Sequence, residues 1–571
     1  LEYVVPASFA GRRGWLIAGV AAAGLAIAPV AYAQRSEPAA TSPSGPAATP
    51  APTPSAADCS VNPDPYKNYA CLDTYLGSNV AVRLYNYYKL EMGQPAAPSD
   101  PSAPPGRRDG WPTTPESTPP MPFTEWPYGG STNIGVNRPS SVDSPLMVAI
   151  ANTGVGQFLN DYHIQIYGWV DVGGNLSTNN QKPGGNSPIG YAYTPNTVQL
   201  DQTTLYIERT PDTVQTDHVD WGFRLSGIYG ENYRYTTAYG IFSYQLLKHN
   251  HINGYDFPMV YGEVFIPQVA QGLMIRAGRY ISLPDIEAQL SPNNYMYTHS
   301  LTYNYDNYTN TGVVATLAAT KDLFLQFGVS MGTETSVQHL SAREPNLVPY
   351  NPLYPTASFP KDPGNQPSFT ACVRYSWDDE HNNIQPCANG INRGNWGYNN
   401  LQWYGFTYYH KFDDHWHLSF ESYYEYQTGV PNANNPQVQS IYQAGGTPFS
   451  PQYIAVNSPN LAQCKSTTAL RCRASAVGVL AYINYSPDPL NNFSLRPEFY
   501  HDPQGQRTGT KADYWELTLG WQHWLSPQIE FRPEVGYWAA SRDAFNGNPT
   551  HGVAPDKNHT FELASDVIAH F

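Results

Sequence analysis

From Tyr162 onward, apolar and polar residues alternate with a period of two, the pattern of half-buried strands. In His163-Ile-Gln-Ile-Tyr-Gly-Trp-Val-Asp-Val172, Ile164, Ile166, Val170 and Val172 share one face. Trp221, Phe223 and Leu225 share a face with Arg224 opposite, and Leu323, Leu325, Phe327, Val329 and Met331 alternate with Phe324, Gln326, Gly328 and Ser330. Leu418, Phe420 and Tyr424 oppose His417, Ser419, Glu421 and Glu425. Trp515, Leu517, Leu519 and Trp521 oppose Glu516, Thr518 and Gln522. Ile529, Phe531, Val535 and Tyr537 oppose Glu530, Arg532 and Glu534. One face is apolar throughout, the other polar or charged.

The pattern predicts about fourteen strands, near 162–175, 198–209, 218–230, 257–267, 271–280, 311–319, 322–333, 400–412, 415–427, 476–486, 492–502, 513–525, 528–540 and 558–571. Their connections alternate in length. Even-numbered strands lead into short turns such as Thr320-Lys-Asp322, Phe412-Asp-Asp-His415 and Ser526-Pro-Gln528. Odd-numbered strands lead into the loops 176–197, 231–256, 281–310, 334–399, 428–475, 503–512 and 541–557. Transmembrane barrels sort their connections this way, with tight periplasmic turns and long extracellular loops. A soluble sandwich has no reason to do so. The last strand ends on Phe571, with Ala569, Val567, Leu563 and Phe561 on one face, the form of strand that the barrel-assembly machinery reads. The expected fold is all-β, an antiparallel transmembrane β-barrel with a Pro-rich, partly helical N-terminal periplasmic segment.

Four regions follow from the pattern. Arg12 and Arg13, the apolar run Trp15 to Ala28 and the site Ala31-Tyr32-Ala33 read as a signal peptide over 1–33, cleaved before Gln34. A Pro/Ala-rich linker covers 34–57, and a periplasmic or plug segment covers 58–160, with helices near Leu72 to Glu91 and Ser144 to Asn160 around a Pro-rich stretch at 95–127. The barrel occupies 161–571.

Composition agrees. Among 571 residues, 44 are tyrosine, aromatics reach 14 % and charged residues only 13 %. A mean hydropathy of −0.46 and the lack of a long apolar run argue against membrane helices, whereas a barrel keeps half of each strand polar. A net charge of −15 without a Lys/Arg cluster argues against nucleic acid as a partner. The six cysteines pair most simply as Cys59–Cys71, Cys372–Cys387 and Cys464–Cys472, one of about fifteen possible connectivities in an oxidising compartment. The last two pairs are expected in extracellular loops.

Ile166-Tyr-Gly-Trp169, Asp212-Thr-Val-Gln-Thr-Asp-His218, Trp221-Gly-Phe-Arg224, Gly278-Arg-Tyr-Ile-Ser-Leu-Pro-Asp-Ile-Glu-Ala-Gln289, Gln506-Arg-Thr-Gly509 and Ala564-Ser-Asp-Val567 resemble the OmpL-like β-barrel porin-2 family of outer-membrane proteins. The resemblance covers about residues 160 to 571 and implies a pore in the Gram-negative outer membrane, without naming a solute.

Charges within spanning strands must face water or a partner. That makes Arg224, Arg276, Arg374, Glu421, Glu425, Arg496, Glu498, Glu516, Glu530, Arg532 and Glu534 candidates to line the lumen, or else to brace it through salt bridges. The 281–310 loop, with Arg279, Asp285 and Glu287, is the candidate to fold inward as a constriction; an ordinary surface loop is the alternative. Asp378, Asp379 and Glu380 read as a solvated acidic tip before a cation or lipopolysaccharide site, and His249 and His251 lack a carboxylate partner for metal. No catalytic motif, cofactor fingerprint or metal-ligand spacing stands out. The expected function is a porin-like channel for small hydrophilic solutes, in contact with outer-membrane lipid and lipopolysaccharide. A substrate-specific plugged channel, a structural or adhesive barrel, and an outer-membrane hydrolase are the alternatives.

Overall fold

A computed structural model describes residues 59–60, 62–98, 134, 144–238, 242–247, 249, 251–281, 285–334, 366–379, 381–397, 400–443, 461–548 and 551–571. The expected signal peptide, the linker and most of the 95–127 stretch lie outside these residues.

Sixteen antiparallel strands close into one barrel in which each strand pairs with its sequence neighbours and the last pairs with the first. In chain order they are β1 Gln165–Ser177, β2 Val198–Arg209, β3 Asp220–Gly230, β4 Gly254–Ile266, β5 Leu273–Ile281, β6 Thr309–Ala318, β7 Leu323–Thr333, β8 Ser368–Trp377, β9 Asn382–Ile391, β10 Gln402–Lys411, β11 Trp416–Pro431, β12 Arg471–Asp488, β13 Asn491–Asp502, β14 Ala512–Ser526, β15 Ile529–Ala540 and β16 His559–His570. Closure leaves no unpaired sheet edge, the condition for crossing a bilayer with strands. Among the described residues no helix is long and apolar enough to span one.

The sequence pattern falls two strands short, and both belong to the β8–β9 hairpin inside the expected 334–399 loop. β8 alternates well, with Phe369, Val373, Tyr375 and Trp377 exposed and Thr370, Cys372 and Arg374 buried. β9 reads Asn-Asn-Ile-Gln-Pro-Cys-Ala-Asn-Gly-Ile, and its Asn, Pro and Gly are poor strand formers. An extra hairpin adds two strands, so the short–long parity of the connections survives.

The outward surface is layered. Near the short-turn end it exposes Trp221, Trp377, Phe412, Trp416 and Phe493, and near the long-loop end Tyr229, Phe369, Tyr404, Trp515, Tyr537 and Phe561. Between them stand aliphatic residues such as Leu225, Val260, Val313, Leu519 and Leu563. Two aromatic girdles around an apolar band are the surface a barrel presents to lipid.

The three disulfides are Cys59–Cys71, Cys372–Cys387 and Cys464–Cys472. Their placement corrects one expectation. Cys372 and Cys387 face each other across β8 and β9 on the buried side of the wall, not in an extracellular loop, because the hairpin occupies that stretch. Cys464–Cys472 ties the end of the loop before β12 to the start of that strand.

The two expected N-terminal helices are each broken. Leu72–Leu76 and Val80–Glu91 are separated at Gly77, whose φ is +86°, and Asn79 restarts the helix by accepting from the amides of Ala81 and Val82. Ser144 and Thr153 likewise cap the helices Pro145–Ile150 and Gly154–Asp161. These helices meet the short-turn end of the barrel. The Gly93 amide donates to the Leu525 carbonyl at 2.8 Å, the Tyr88 hydroxyl donates to the His570 carbonyl, and Ser144 reaches Ile166. Ile134 packs among buried Phe265, Met274, Ala318 and Phe324 at the same end of β4 to β7.

Candidate functional site: the barrel interior and its inner loop

The segment from Asp285 to Tyr308, between β5 and β6, is buried at every residue. A loop can be buried only where its polar groups find partners. Here the inner wall supplies them from several strands. On β15, Glu534 accepts from the amides of Tyr297 (3.0 Å) and Thr298 (3.2 Å) and from the Thr298 hydroxyl. On β13, Glu498 accepts from the Leu301 amide at 2.9 Å and the Thr302 hydroxyl at 2.6 Å. On β11, Glu421 accepts from the Ile286 amide at 3.0 Å. Arginines hold the loop's other face. Arg532 donates to the carbonyls of Ser291 (2.6 Å) and Asn294 (2.8 Å), and Arg496 to the Thr298 carbonyl.

Close approach also requires small residues on the wall. A Cβ on Gly173 of β1 would lie 2.4 Å from the Tyr297 ring, and one on Gly478 of β12 would lie 2.8 Å from Thr302. Glycine at these inward positions lets the loop lie against the strands.

Other inward charges pair along the wall and with the loop. Arg224 on β3 donates to Glu208 on β2 at 2.6 Å, and Arg276 on β5 to Glu263 on β4 at 3.1 Å. Arg496 bridges Glu516 (2.6 Å) on the wall and Glu287 (2.9 Å) in the loop. Glu287 also accepts from the Ser300 amide at 3.1 Å. Arg507 meets Glu425 at 3.2 Å, and Arg532 binds Asp566 of β16 at 3.0 Å. Glu530 accepts from Gln522 at 2.8 Å. Arg374 is fully buried, its guanidinium 5.1 Å from the centre of the Phe324 ring.

Thus Arg224, Arg276, Arg374, Glu421, Glu425, Arg496, Glu498, Glu516, Glu530, Arg532 and Glu534 all point inward, and Asp285 and Glu287 lie in the buried loop. Arg279 stands apart. It shares the strand parity of exposed Ala277 and folds over the top of the barrel onto Asp256 (3.0 Å) and the Phe257 carbonyl (2.7 Å). Asp378 and Asp379 lie on the short turn after β8, with Asp379 4.0 Å from Lys321, and Glu380 is outside the described residues. The His249 and His251 rings stack 5.4 Å apart.

Several interior acids went unread in the sequence. Asp171, Glu208, Glu562 and Asp566 each occupy the buried parity of their strand, so the period of two already carried the signal. Asp306 had none, because no periodicity governs a loop. Its carboxylate comes within 4.8 Å of those of Asp285 and Glu421, a grouping with the spacing of cation ligands. Aromatic rings pack beside the loop, where Tyr191 stacks on His299 with centroids 3.6 Å apart and on Tyr235 at 4.5 Å.

Comparison with known proteins places this architecture. Residues 163–571 match the family described as "Putative beta-barrel porin-2, OmpL-like". Solved structures with a similar barrel include the outer-membrane channel DcaP of Acinetobacter baumannii (9 % identity, TM-score 0.39, covering 72 % of this chain and 97 % of that one). An anion-selective porin from Comamonas acidovorans matches at 10 % identity and TM-score 0.39, covering 72 % and 99 %. OmpT of Vibrio cholerae matches at 8 % identity and TM-score 0.38, covering 72 % and 97 %. No curated protein matches by sequence. With the match spanning the whole barrel, the chain belongs to the OmpL-like β-barrel porin-2 family and is a β-barrel of the outer membrane.

Proposed function

We propose that the barrel is a porin-like channel through which small hydrophilic solutes pass passively, with the 285–308 loop as its constriction. The observation that carries this reading is the loop itself, which lies inside the wall and is hydrogen-bonded to β11, β13 and β15. A barrel that served only as a scaffold or adhesin would need no such insert, and an apolar filling would hold it together as well. In this reading the long loops face outward, where lipopolysaccharide surrounds them, the last strand is the one that assembly factors recognise, and the chain has no catalytic role. Purified full-length protein in planar bilayers should give discrete conductance steps, and sized sugars should sort by swelling rate in proteoliposomes. Folded, heat-modifiable protein without conductance would instead favour the scaffold reading.

The N-terminal segment supports a second reading, a channel covered on its periplasmic side. Ile134 lies among buried residues at the short-turn end, and Tyr88 and Gly93 bond to the ends of β16 and β14. Excision of residues 58–160 should raise conductance if the segment covers the mouth.

The orientation has its own check. On whole cells, a membrane-impermeant thiol reagent should label half-buried Cys472 only after reduction, while Cys372 and Cys387, buried in the wall, should stay unlabelled. Absence of Cys472 labelling after reduction would invert the assignment of the two barrel ends.

A further inference from the structure

We infer that this pore prefers cations and cationic solutes over anions, an inference that rests on the channel reading. Charge in the interior is out of balance. Arg224, Arg276, Arg496, Arg507 and Arg532 are each already bonded to a carboxylate, so their charge is spent locally, and Arg374 adds one more buried cation over the Phe324 ring. Beyond those pairs stand buried Asp171 and Asp201 on the wall by β1 and β2, Glu562 on β16, Glu421 on β11, Glu498 on β13 and Asp306 in the inner loop. Among the described residues none of these six forms an ion pair. Hydrogen bonds soften some of them: Glu421 and Glu498 accept loop amides, Asp201 accepts from Gln199 at 2.9 Å, and Glu562 accepts from Asn186 at 3.3 Å. Asp171 has only the nearby Ser291 hydroxyl to soften it among the described residues.

A carboxylate sealed from water and from any cation is costly, and several in one interior multiply that cost. Hydrated cations drawn into the interior would relieve it. The carboxylates are spread around the barrel and onto the loop, so their field reaches the interior from more than one side. A low-dielectric wall strengthens that field, and rings of acidic side chains favour cation passage in this way.

The test is the zero-current potential of the purified full-length protein in a bilayer under a potassium chloride gradient. The expected result is a potassium permeability about fivefold or more above chloride. The double variant Asp171→Asn/Asp201→Asn, and separately Asp306→Asn, should each lower that ratio about twofold while keeping heat-modifiable migration. A conducting wild-type channel with chloride permeability equal to or above potassium overturns the inference and leaves the channel reading intact. Folded variants whose ratio is unchanged also overturn it. Absence of any conductance overturns the channel reading, and the preference falls with it.

Discussion

Replacing Arg496 with Met should destabilise the barrel by about 3–5 kcal/mol and loosen its inner loop. The guanidinium is fully buried and holds Glu516 on β14, Glu287 in the loop, the Tyr482 hydroxyl at 3.1 Å and Thr298. Methionine fills much of the volume but leaves two buried carboxylates without their shared cation. Lysine should rescue only part of the loss, because one ammonium cannot reproduce a fork that reaches the wall and the loop together. Denaturant titration of detergent-folded protein measures the stability term. Single-channel recording measures the other consequence, a larger or noisier conductance once the loop loses this tie. Stability within about 0.5 kcal/mol of the parent would show that the arginine is not the tie described here.

Arg532 should behave in the same way. Period alone places Arg532 opposite Phe531 and leaves open whether it lines the lumen or braces it. In the structure it is joined to Asp566 and to two loop carbonyls, so it acts as a brace as well as a charge. Periodicity states which side of a strand a residue faces but not what lies across the interior from it. That is why the inward parity of Arg224, Glu498 and Glu534 was legible while their partners were not. The strand count failed at β9, where Asn, Pro and Gly dilute the alternation and the pairing with β8 and β10 supplies the order instead. Loop parity was more robust than the count, since strands are added in pairs. The inward fold of the 285–308 loop had a weaker signal still. Its charged residues stood out, but Thr298, Leu301 and Thr302, which meet the wall, are unremarkable in sequence.

The outward face gives the second large effect. Leu519 sits in the middle of β14, is 53 % exposed and has Leu495 and Val535 as its cross-strand neighbours. In the outer membrane that exposed surface meets acyl chains, so Leu519→Arg should cost ~2–4 kcal/mol, the value for a cation near the bilayer midplane. Depth separates this from a general intolerance of arginine. Phe531 also lies on the lipid-facing parity, but it is close to the start of β15 at the short turn, where an arginine can reach the interface. Phe531→Arg should therefore cost only about 0–1 kcal/mol. Folding titrations into lipid vesicles can measure both substitutions in one background. If the two costs are equal, Leu519 does not lie deeper in the bilayer than Phe531. If Leu519→Arg is free of cost while Phe531→Arg is not, the apolar band lies nearer the short-turn end than the two aromatic girdles place it.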